Sequence, residues 1–239
     1  MPDEKYEIAV GDKTVSAIKT SPAGSARFTL VFAPGAGSNI NDPFGEYLSM
    51  RLPAAGAALV RFQFPYMEAG RRGPDRAPML EATWREVISS VEPGTGKLIV
   101  GGRSMGGRIA SQVVAQGTRV DALVLFAYPL KPPGRNPSGQ NPPGLNPPGP
   151  NPPRSRAVSR DGHLPDINVP TLFCSGTRDN FATPDDLIAV AGRMPSAVFH
   201  ELEGADHGFA VLKRSGRTRE DIWKDAADTL LAWFEGLSK

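Results

Sequence analysis

The chain has 239 residues, of which 40% are hydrophobic and 22% are charged, and this ordinary globular usage excludes wholesale disorder. The formal net charge is only +2, because basic and acidic residues are nearly balanced. This balance argues against a protein whose main partner is nucleic acid or an anionic membrane. A single cysteine excludes an intrachain disulfide and a thiolate metal cage, and three histidines without close spacing argue against zinc, so we expect no metal site. The charged first residues and the lack of a run of about 18 apolar residues predict neither a secretory signal nor a membrane span, so we expect a soluble, cytoplasmic protein.

Two patterns of secondary structure alternate along the chain. Compact or alternating apolar runs predict strands at residues 14–19, 27–33, 57–64, 97–100, 122–127, 171–174 and 197–202. Helical spacing predicts helices at residues 43–52, 80–91, 105–115, 184–194 and 219–234. The alternation predicts an α/β fold, with a mostly parallel central sheet covered by helices on both faces, in one domain spanning residues 1–239. Such sheets place their chemistry at the carboxyl ends of the strands.

A glycine-rich turn joins the predicted strand at 97–100 to the helix that follows it. Gly102, Ser104 and Gly106 form the pattern G-x-S-x-G, in which a serine in a strained turn projects its hydroxyl beyond the sheet edge. Side chains larger than glycine two positions to either side would collide with the neighbouring strand and helix. Ser104 is therefore the candidate nucleophile. The amide of Met105, at a helix N-terminus, is a candidate donor to an oxyanion.

A serine hydroxyl is a poor nucleophile near neutral pH, so it needs a base, and the chain offers three histidines. His207 lies in a loop of small residues after the last predicted strand and is the candidate base. His200 lies within that strand, where a packed or half-exposed histidine is expected. We assign His163, in the connector after a proline-rich tract, to solvent or to a local turn bond.

A carboxylate must hold the imidazole in the correct tautomer and stabilise its charged form. Asp179 lies just past the carboxyl end of the strand at 171–174 and is the candidate. Asp121 precedes its strand and so falls at the wrong edge of the sheet. Asp206 adjoins His207 in sequence and is less able to face its ring.

A second glycine-rich turn, at residues 33–39, follows the predicted strand at 27–33. Its Ala36 amide is the candidate second donor to the oxyanion. A dinucleotide site does not fit this turn, because the third glycine of that motif is missing. A phosphate loop does not fit residues 94–97, because Leu98 stands where serine or threonine is required.

Residues 65–79 are too long for a tight turn. Two interpretations stay open: the segment forms a wall of an acyl pocket, or it is an ordinary solvated loop. Arg71, Arg72 and Arg76 within it either favour an anionic substrate or face water.

A proline-rich tract interrupts the alternation at about residues 131–155. Eleven of the 24 prolines lie between Pro129 and Pro153, with a period of five. The tract lacks the glycine at every third position that collagen needs, and it has no apolar face to bury. We therefore predict a surface insertion of polyproline II and turns. It is either a tolerated loop or a docking segment that contacts a partner protein through an aromatic-lined groove.

Four motifs span nearly the whole chain outside the proline-rich tract: APGAGSN at 33–39, GGRSMGGR at 101–108, PTLFCSGTRD at 170–179 and GADHGF at 204–209. Together they resemble the α/β-hydrolase superfamily, in particular a dienelactone-hydrolase-like branch of small bacterial predicted hydrolases. Eukaryotic relatives of that branch include testis-expressed proteins and a subunit of a chromatin-modifying complex.

The resemblance implies an α/β-hydrolase fold in which Ser104, Asp179 and His207 form a catalytic triad and Ala36 and Met105 form the oxyanion hole. The chain departs from the family pattern at residues 34–35, where Pro-Gly stands in place of the His-Gly of many members. The proline-rich tract is a second departure, because such an insertion is not associated with the family.

These observations lead to the hypothesis of a serine hydrolase that cleaves a small or medium carboxylic ester or thioester through an acyl-enzyme on Ser104, without a cofactor or a metal. Two alternatives stay open: a non-catalytic α/β-hydrolase-like interaction module, and an acyltransferase or perhydrolase that uses the same triad. The expected partner is a small-molecule ester, with no nucleic acid and no membrane, and the oligomeric state is left open.

Overall fold

The computed structural model describes residues 3–91, 96–132 and 160–237. Its eight strands are β1 (Asp3–Val10), β2 (Lys13–Thr20), β3 (Phe28–Ala33), β4 (Ala57–Phe62), β5 (Lys97–Arg103), β6 (Ala122–Phe126), β7 (Thr171–Gly176) and β8 (Ala197–Leu202). They form one sheet in the order β1-β2-β4-β3-β5-β6-β7-β8. β2 runs antiparallel to both of its neighbours, and all other neighbouring pairs from β4 to β8 are parallel. The predicted, mostly parallel sheet is confirmed.

In the described residues, six α-helices flank the sheet: α1 (Pro43–Ala54), α2 (Pro65–Glu68), α3 (Ala77–Ser89), α4 (Met105–Ala115), α5 (Pro184–Ala191) and α6 (Arg219–Leu237). α1 and α6 share one hydrophobic cluster with one face of the sheet, and α3, α4 and α5 share a second cluster with the other face. In the described ranges, none of these helices combines the length and the hydropathy that crossing a bilayer requires.

The side chains of β3 explain why its sequence reads as a continuous apolar run. Leu30 and Phe32 face the cluster of α1 and α6, whereas Val31 and Ala33 face the cluster of α3, α4 and α5. A strand that is covered on both sides buries every side chain, so the polar alternation of a half-exposed strand disappears. The apolar runs therefore predicted the central strands correctly.

The first strand was not predicted from the sequence. β1 is an edge strand in which Tyr6, Ile8 and Val10 occupy alternate positions after a charged start, and the last two are buried against the core. The period of two was present, but it was hidden among charges at an edge that is exposed on one face. That alternation is the signal that could have found it.

Several predicted boundaries differ from the observed ones. The strand predicted at 57–64 ends at Phe62, because Pro65 begins the short helix α2. The helix predicted at 184–194 ends at Ala191, just before Gly192. The start of that helix is as predicted: Thr183 accepts a hydrogen bond from the Asp186 amide at 3.2 Å, which completes an N-cap.

The predicted insertion at about residues 131–155 lies almost entirely outside the described residues. Its conformation stays a prediction, as does the assignment of residues 1–239 to one domain.

Candidate active site

Ser104 lies in the turn between β5 and α4, at the carboxyl end of the parallel strands. Its backbone has φ 52° and ψ −115°, a left-handed conformation that a residue with a side chain adopts only under local strain. The turn is held by a hydrogen bond from the Ser104 amide to the Phe126 carbonyl at 2.8 Å. The turn therefore has the strained backbone that the G-x-S-x-G motif predicts.

The flanking glycines let this turn approach β3. A Cβ atom on Gly102 would lie 2.2 Å from the Ala33 carbonyl oxygen, and one on Gly106 would lie 2.3 Å from the same oxygen. Both distances are far below van der Waals contact, so neither position has room for a side chain. The steric requirement inferred from the motif therefore holds, and both collisions involve the last residue of β3.

Asp179 lies in the loop after β7, and its side chain is fully buried. The Phe181 amide donates to its Oδ1 at 2.8 Å, and the Ser175 hydroxyl donates to its Oδ2 at 3.2 Å. Oδ2 also lies 2.8 Å from Nδ1 of His207. The carboxylate is thus fixed by neighbours on both oxygens.

His207 lies in the loop after β8, and that loop is joined to the loop of Asp179. The Arg178 amide donates to the Ala205 carbonyl at 2.9 Å, and a Cβ atom on Gly176 would lie 2.1 Å from the same oxygen. Asp206 does not turn toward the His207 ring, since its Oδ1 accepts hydrogen bonds from the amides of Gly208 and Ala210 at 2.9 and 2.8 Å. The prediction that Asp206 is a poor partner for His207 agrees with this role in the loop.

The structure brings Ser104, His207 and Asp179 together although they are far apart in the sequence. Nε2 of His207 lies 2.9 Å from the Ser104 hydroxyl oxygen, and Nδ1 lies 2.8 Å from the Asp179 carboxylate. Both ring nitrogens therefore have a partner. With Nδ1–H donating to the carboxylate, Nε2 is free to accept the serine proton.

The two predicted oxyanion donors, Ala36 and Met105, line the same cleft as Ser104. Within the described part of the chain, neither amide donates a hydrogen bond to a protein acceptor. Met105 is the first residue of α4, where the helix dipole favours negative charge. Their role as donors stays a prediction.

The turn that contains Ala36 is stabilised by a hydrogen bond from Tyr66, a contact that the sequence did not indicate. The Tyr66 hydroxyl, in α2, donates to the Ala36 carbonyl at 2.8 Å, and the residue is buried. Burial raises the pKa of Tyr66, so the hydroxyl keeps its proton at neutral pH and stays a donor. Because its partner is 30 residues away, only the folded chain reveals the pair.

The cleft above Ser104 has a volume of about 490 Å³. Pro74, Asp75 and Ala77 form part of its wall, which favours the pocket-wall interpretation of residues 65–79 over a solvated loop. Arg71 forms an ion pair with Asp75 at 2.5 Å. The arginines that line the cleft are instead Arg103, Arg108 and Arg160.

Arg103, the residue before Ser104, forms an ion pair that links the end of β5 to the N-terminus of α1. Its Nη2 donates to Oδ2 of Asp42 at 2.7 Å, and Asp42 caps α1 by accepting from the amides of Phe44 and Gly45. The Asp42 side chain is almost completely buried, so this ion pair is shielded from water. The partners lie 61 residues apart, and no local pattern indicated them.

The assignment of His163 to solvent or to a local turn bond is wrong. The ring is half-buried, and its Nε2 lies 2.7 Å from the hydroxyl of Ser111 on α4. Burial and the nearby charge of Arg108 lower the pKa of His163, so the ring is neutral at pH 7. The error arose because the partner is 52 residues away. His200 is half-exposed, as expected, and lies 2.9 Å from Asp225.

Ser111 is fully buried, and its hydroxyl donates to the Arg108 carbonyl at 2.8 Å. It therefore accepts a hydrogen bond from Nε2–H of His163 and donates none to that ring. This second Ser–His pair is closed to a substrate. Among the residues that the structure describes, no three His, Cys, Asp or Glu side chains are grouped as ligands for a metal ion.

Comparison with known proteins relates the chain to a family model and to solved structures. The family model described as an alpha/beta hydrolase domain matches residues 26–141 and 149–235. A dienelactone hydrolase from Anabaena variabilis has a similar structure, with a TM-score of 0.71, 17% identity, and coverage of 98% of this chain and 97% of that one.

Two further solved structures share the fold. An alpha-beta serine hydrolase homologue from Coxiella burnetii gives a TM-score of 0.68 at 17% identity, over 97% of each chain. A predicted CIB-like hydrolase from Thermoplasma acidophilum gives 0.66 at 18% identity, over 97% of this chain and 99% of that one. At these identities the likeness shows a common fold.

Proposed function

Since this chain belongs to the alpha/beta hydrolase domain family, we propose that it is a serine hydrolase that cleaves a small or medium carboxylic ester or thioester. The observation that carries the proposal is the continuous pair of hydrogen bonds from Ser104 through His207 to Asp179, at 2.9 and 2.8 Å. Beside it lies a cleft of about 490 Å³, a size that suits a small ligand.

In the first half of the proposed reaction, the Ser104 oxygen attacks the carbonyl carbon of the ester as Nε2 of His207 takes the hydroxyl proton. The resulting imidazolium is stabilised by the Asp179 carboxylate at Nδ1. When the carbon–oxygen or carbon–sulfur bond to the leaving group breaks, His207 returns the proton to that group and an acyl-Ser104 ester remains.

In the second half, water takes the place of the leaving group. His207 removes a proton from the water molecule as the water oxygen attacks the carbonyl carbon of acyl-Ser104. The same proton then returns to the Ser104 oxygen, and the carboxylic acid is released. The tetrahedral intermediates of both halves carry an oxyanion, for which the amides of Ala36 and Met105 are the proposed donors.

Covalent labelling with a fluorophosphonate probe tests this proposal. We expect labelling of the native protein at Ser104, located by mass spectrometry of the adduct, and no labelling of Ser104→Ala. Ser111→Ala is the matched control and should label like the native protein, because Ser111 is fully buried.

A folded native protein that does not label would contradict the proposal and favour the non-catalytic interaction module. Acyl transfer is separated from hydrolysis by product analysis with an added alcohol or with hydrogen peroxide as the competing acceptor. If the main product is the ester of the added alcohol, or the peracid, hydrolysis is not the main reaction. The acyl-enzyme intermediate would still be supported.

A further inference from the structure

Among the described residues, two arginines line the proposed catalytic cleft without a contact to a carboxylate. Arg108 lies in the first turn of α4, four residues after Ser104, and Arg160 begins the last described segment of the chain. Both are half-buried. Arg108 contacts the neutral Gln112 amide oxygen at 3.4 Å, and Arg160 donates to the Lys131 carbonyl at 3.1 Å.

Two carboxylates in the neighbourhood of these arginines, Glu81 and Asp161, are bonded to other cations. Glu81, whose charge reaches Arg108, forms an ion pair with Arg85 at 3.4 Å. Asp161, next to Arg160 in sequence, forms one with Arg193 at 2.5 Å. Residues 133–159, which precede Arg160, contain no aspartate or glutamate, so that segment has no carboxylate to offer.

Counted over the described residues that line the cleft, the charges leave an excess of two positive charges. Asp75 and Arg103 also line it, but each is neutralised by its own partner, Arg71 and Asp42 respectively. Arg108 and Arg160 remain. Guanidinium groups stay protonated in proteins, so these two charges persist at all ordinary pH values.

The two positive charges also lie close enough to disfavour each other. Burial lowers the pKa of Arg108, and burial together with the charge of Arg108 lowers the pKa of Arg160. An anion bound at both guanidinium groups would remove this unfavourable interaction. A carboxylate suits the purpose, because its two oxygens match the paired N–H groups of arginine.

Arg160 is held in place by the buried cluster that contains the second Ser–His pair. The Tyr128 hydroxyl donates to the Arg160 carbonyl at 2.7 Å, and it lies 3.5 Å from the Ser111 hydroxyl that bonds His163. Arg108 belongs to the same helix as Ser111. The cluster therefore fixes the backbone from which both arginines extend relative to Ser104, which lowers part of the ordering entropy that binding a ligand would cost.

We propose that Arg108 and Arg160 form an anion subsite, and that the ester hydrolysed at Ser104 carries a carboxylate group that this subsite binds. The inference rests on the proposed function. It assigns a role to the arginines of the cleft, whereas the sequence had directed attention to Arg71, Arg72 and Arg76.

The test compares two esters that differ in one charge: 4-nitrophenyl hydrogen adipate and 4-nitrophenyl methyl adipate, with Ser104→Ala protein as the blank. We expect kcat/KM for the anionic ester to exceed that for the neutral ester by about tenfold or more. Arg108→Gln and Arg160→Gln should each lower this ratio by about tenfold, because each removes a charge-assisted hydrogen bond.

Arg119→Gln is the matched control. It also removes one positive charge, but Arg119 is exposed just before β6, at the edge of the sheet opposite the cleft. The ratio should keep its native value in this variant. If a glutamine variant does not fold, Arg108→Lys and Arg160→Lys keep the charge without the paired geometry and should each lower the ratio by a smaller factor.

A ratio near one in the native protein, or a ratio that Arg108→Gln and Arg160→Gln leave unchanged, would overturn the subsite while Ser104-dependent hydrolysis stands. If neither ester is hydrolysed, the proposed function fails, and calorimetric titration with monomethyl adipate decides about the subsite. Binding that weakens about tenfold in both arginine variants and not in Arg119→Gln would support it. Absence of binding to the native protein would overturn it.

Discussion

Among the described residues, two Ser–His pairs share a short hydrogen bond but differ in burial and in the second partner of the histidine. Nε2 of His207 lies 2.9 Å from the Ser104 hydroxyl, and Nε2 of His163 lies 2.7 Å from the Ser111 hydroxyl. Ser104 lies at the wall of a cleft, whereas Ser111 is fully buried. The distance between oxygen and nitrogen therefore does not distinguish a candidate nucleophile from a packing contact.

The two pairs differ in which group donates the hydrogen bond, and in whether the histidine has a carboxylate as its second partner. Ser111 donates to the Arg108 carbonyl, so its hydroxyl can only accept from His163. His163 has no hydrogen bond to a carboxylate among the described residues, and the charge of Arg108 opposes its protonation. His207 has the buried Asp179 carboxylate at Nδ1, which would stabilise an imidazolium. A catalytic base therefore needs this second partner as well, to hold the correct tautomer and to stabilise the imidazolium.

The largest expected difference is between alanine substitutions of the two serines. Ser104→Ala should lower kcat for a neutral ester by about 10⁴-fold or more, since it removes the nucleophile. Ser111→Ala should leave kcat within about an order of magnitude but lower the free energy of unfolding by about 1–3 kcal/mol, because the buried His163 N–H loses its acceptor. Steady-state kinetics and urea unfolding measure both. Near-native activity in Ser104→Ala would remove Ser104 from the proposed role.

The next largest effect is expected at the carboxylate. Asp179→Asn should lower kcat by about 10³–10⁴-fold without unfolding the protein, since the amide cannot stabilise the imidazolium and favours the wrong tautomer. Asp206→Asn is the matched control. Its amide oxygen can still accept from Gly208 and Ala210, so a far smaller loss is expected. The opposite ranking in ester kinetics would move the role from Asp179 to Asp206.

Much of the fold was predictable because its signals are local. The apolar run of β3 and the N-cap of α5 at Thr183 each depend on residues within one element or one turn of it. β1 shows the limit of this approach, since an exposed edge strand tolerates charges that mask its alternation. Its position became evident only from its pairing with β2.

The residues of the candidate site also fall into two groups: those that a local sequence signal indicates, and those that only the folded structure reveals. Ser104, Asp179 and His207 could be nominated because each follows the end of a predicted strand, and the fold brings strand ends to one edge. The roles of Arg108 and His163 could not be predicted, because they depend on how α4 packs against a segment some fifty residues further along the chain. Such contacts leave no periodic trace in the sequence.

The smallest expected effect concerns the pH dependence of the free energy of unfolding. It tests the His163–Ser111 pair separately from the Ser104–His207 pair. Because burial and Arg108 lower the pKa of folded His163 below the 6.5 of a free histidine, the unfolded chain binds more protons between these two values. The free energy of unfolding should therefore fall as pH decreases below about 6.5 and through the folded pKa. His163→Gln keeps an N–H donor for Ser111 but cannot titrate in this range, so its decline should be shallower.

The control for this measurement is His200→Gln, which removes a half-exposed histidine that is bonded to Asp225. The share of the decline that is due to His163 should persist in that variant, as followed by urea unfolding at a series of pH values. Equal slopes for the native protein and His163→Gln would mean that the Ser111 pair accommodates a charged ring. The contrast between the two pairs would then rest on access to the cleft and on Asp179, since protonation would no longer separate them.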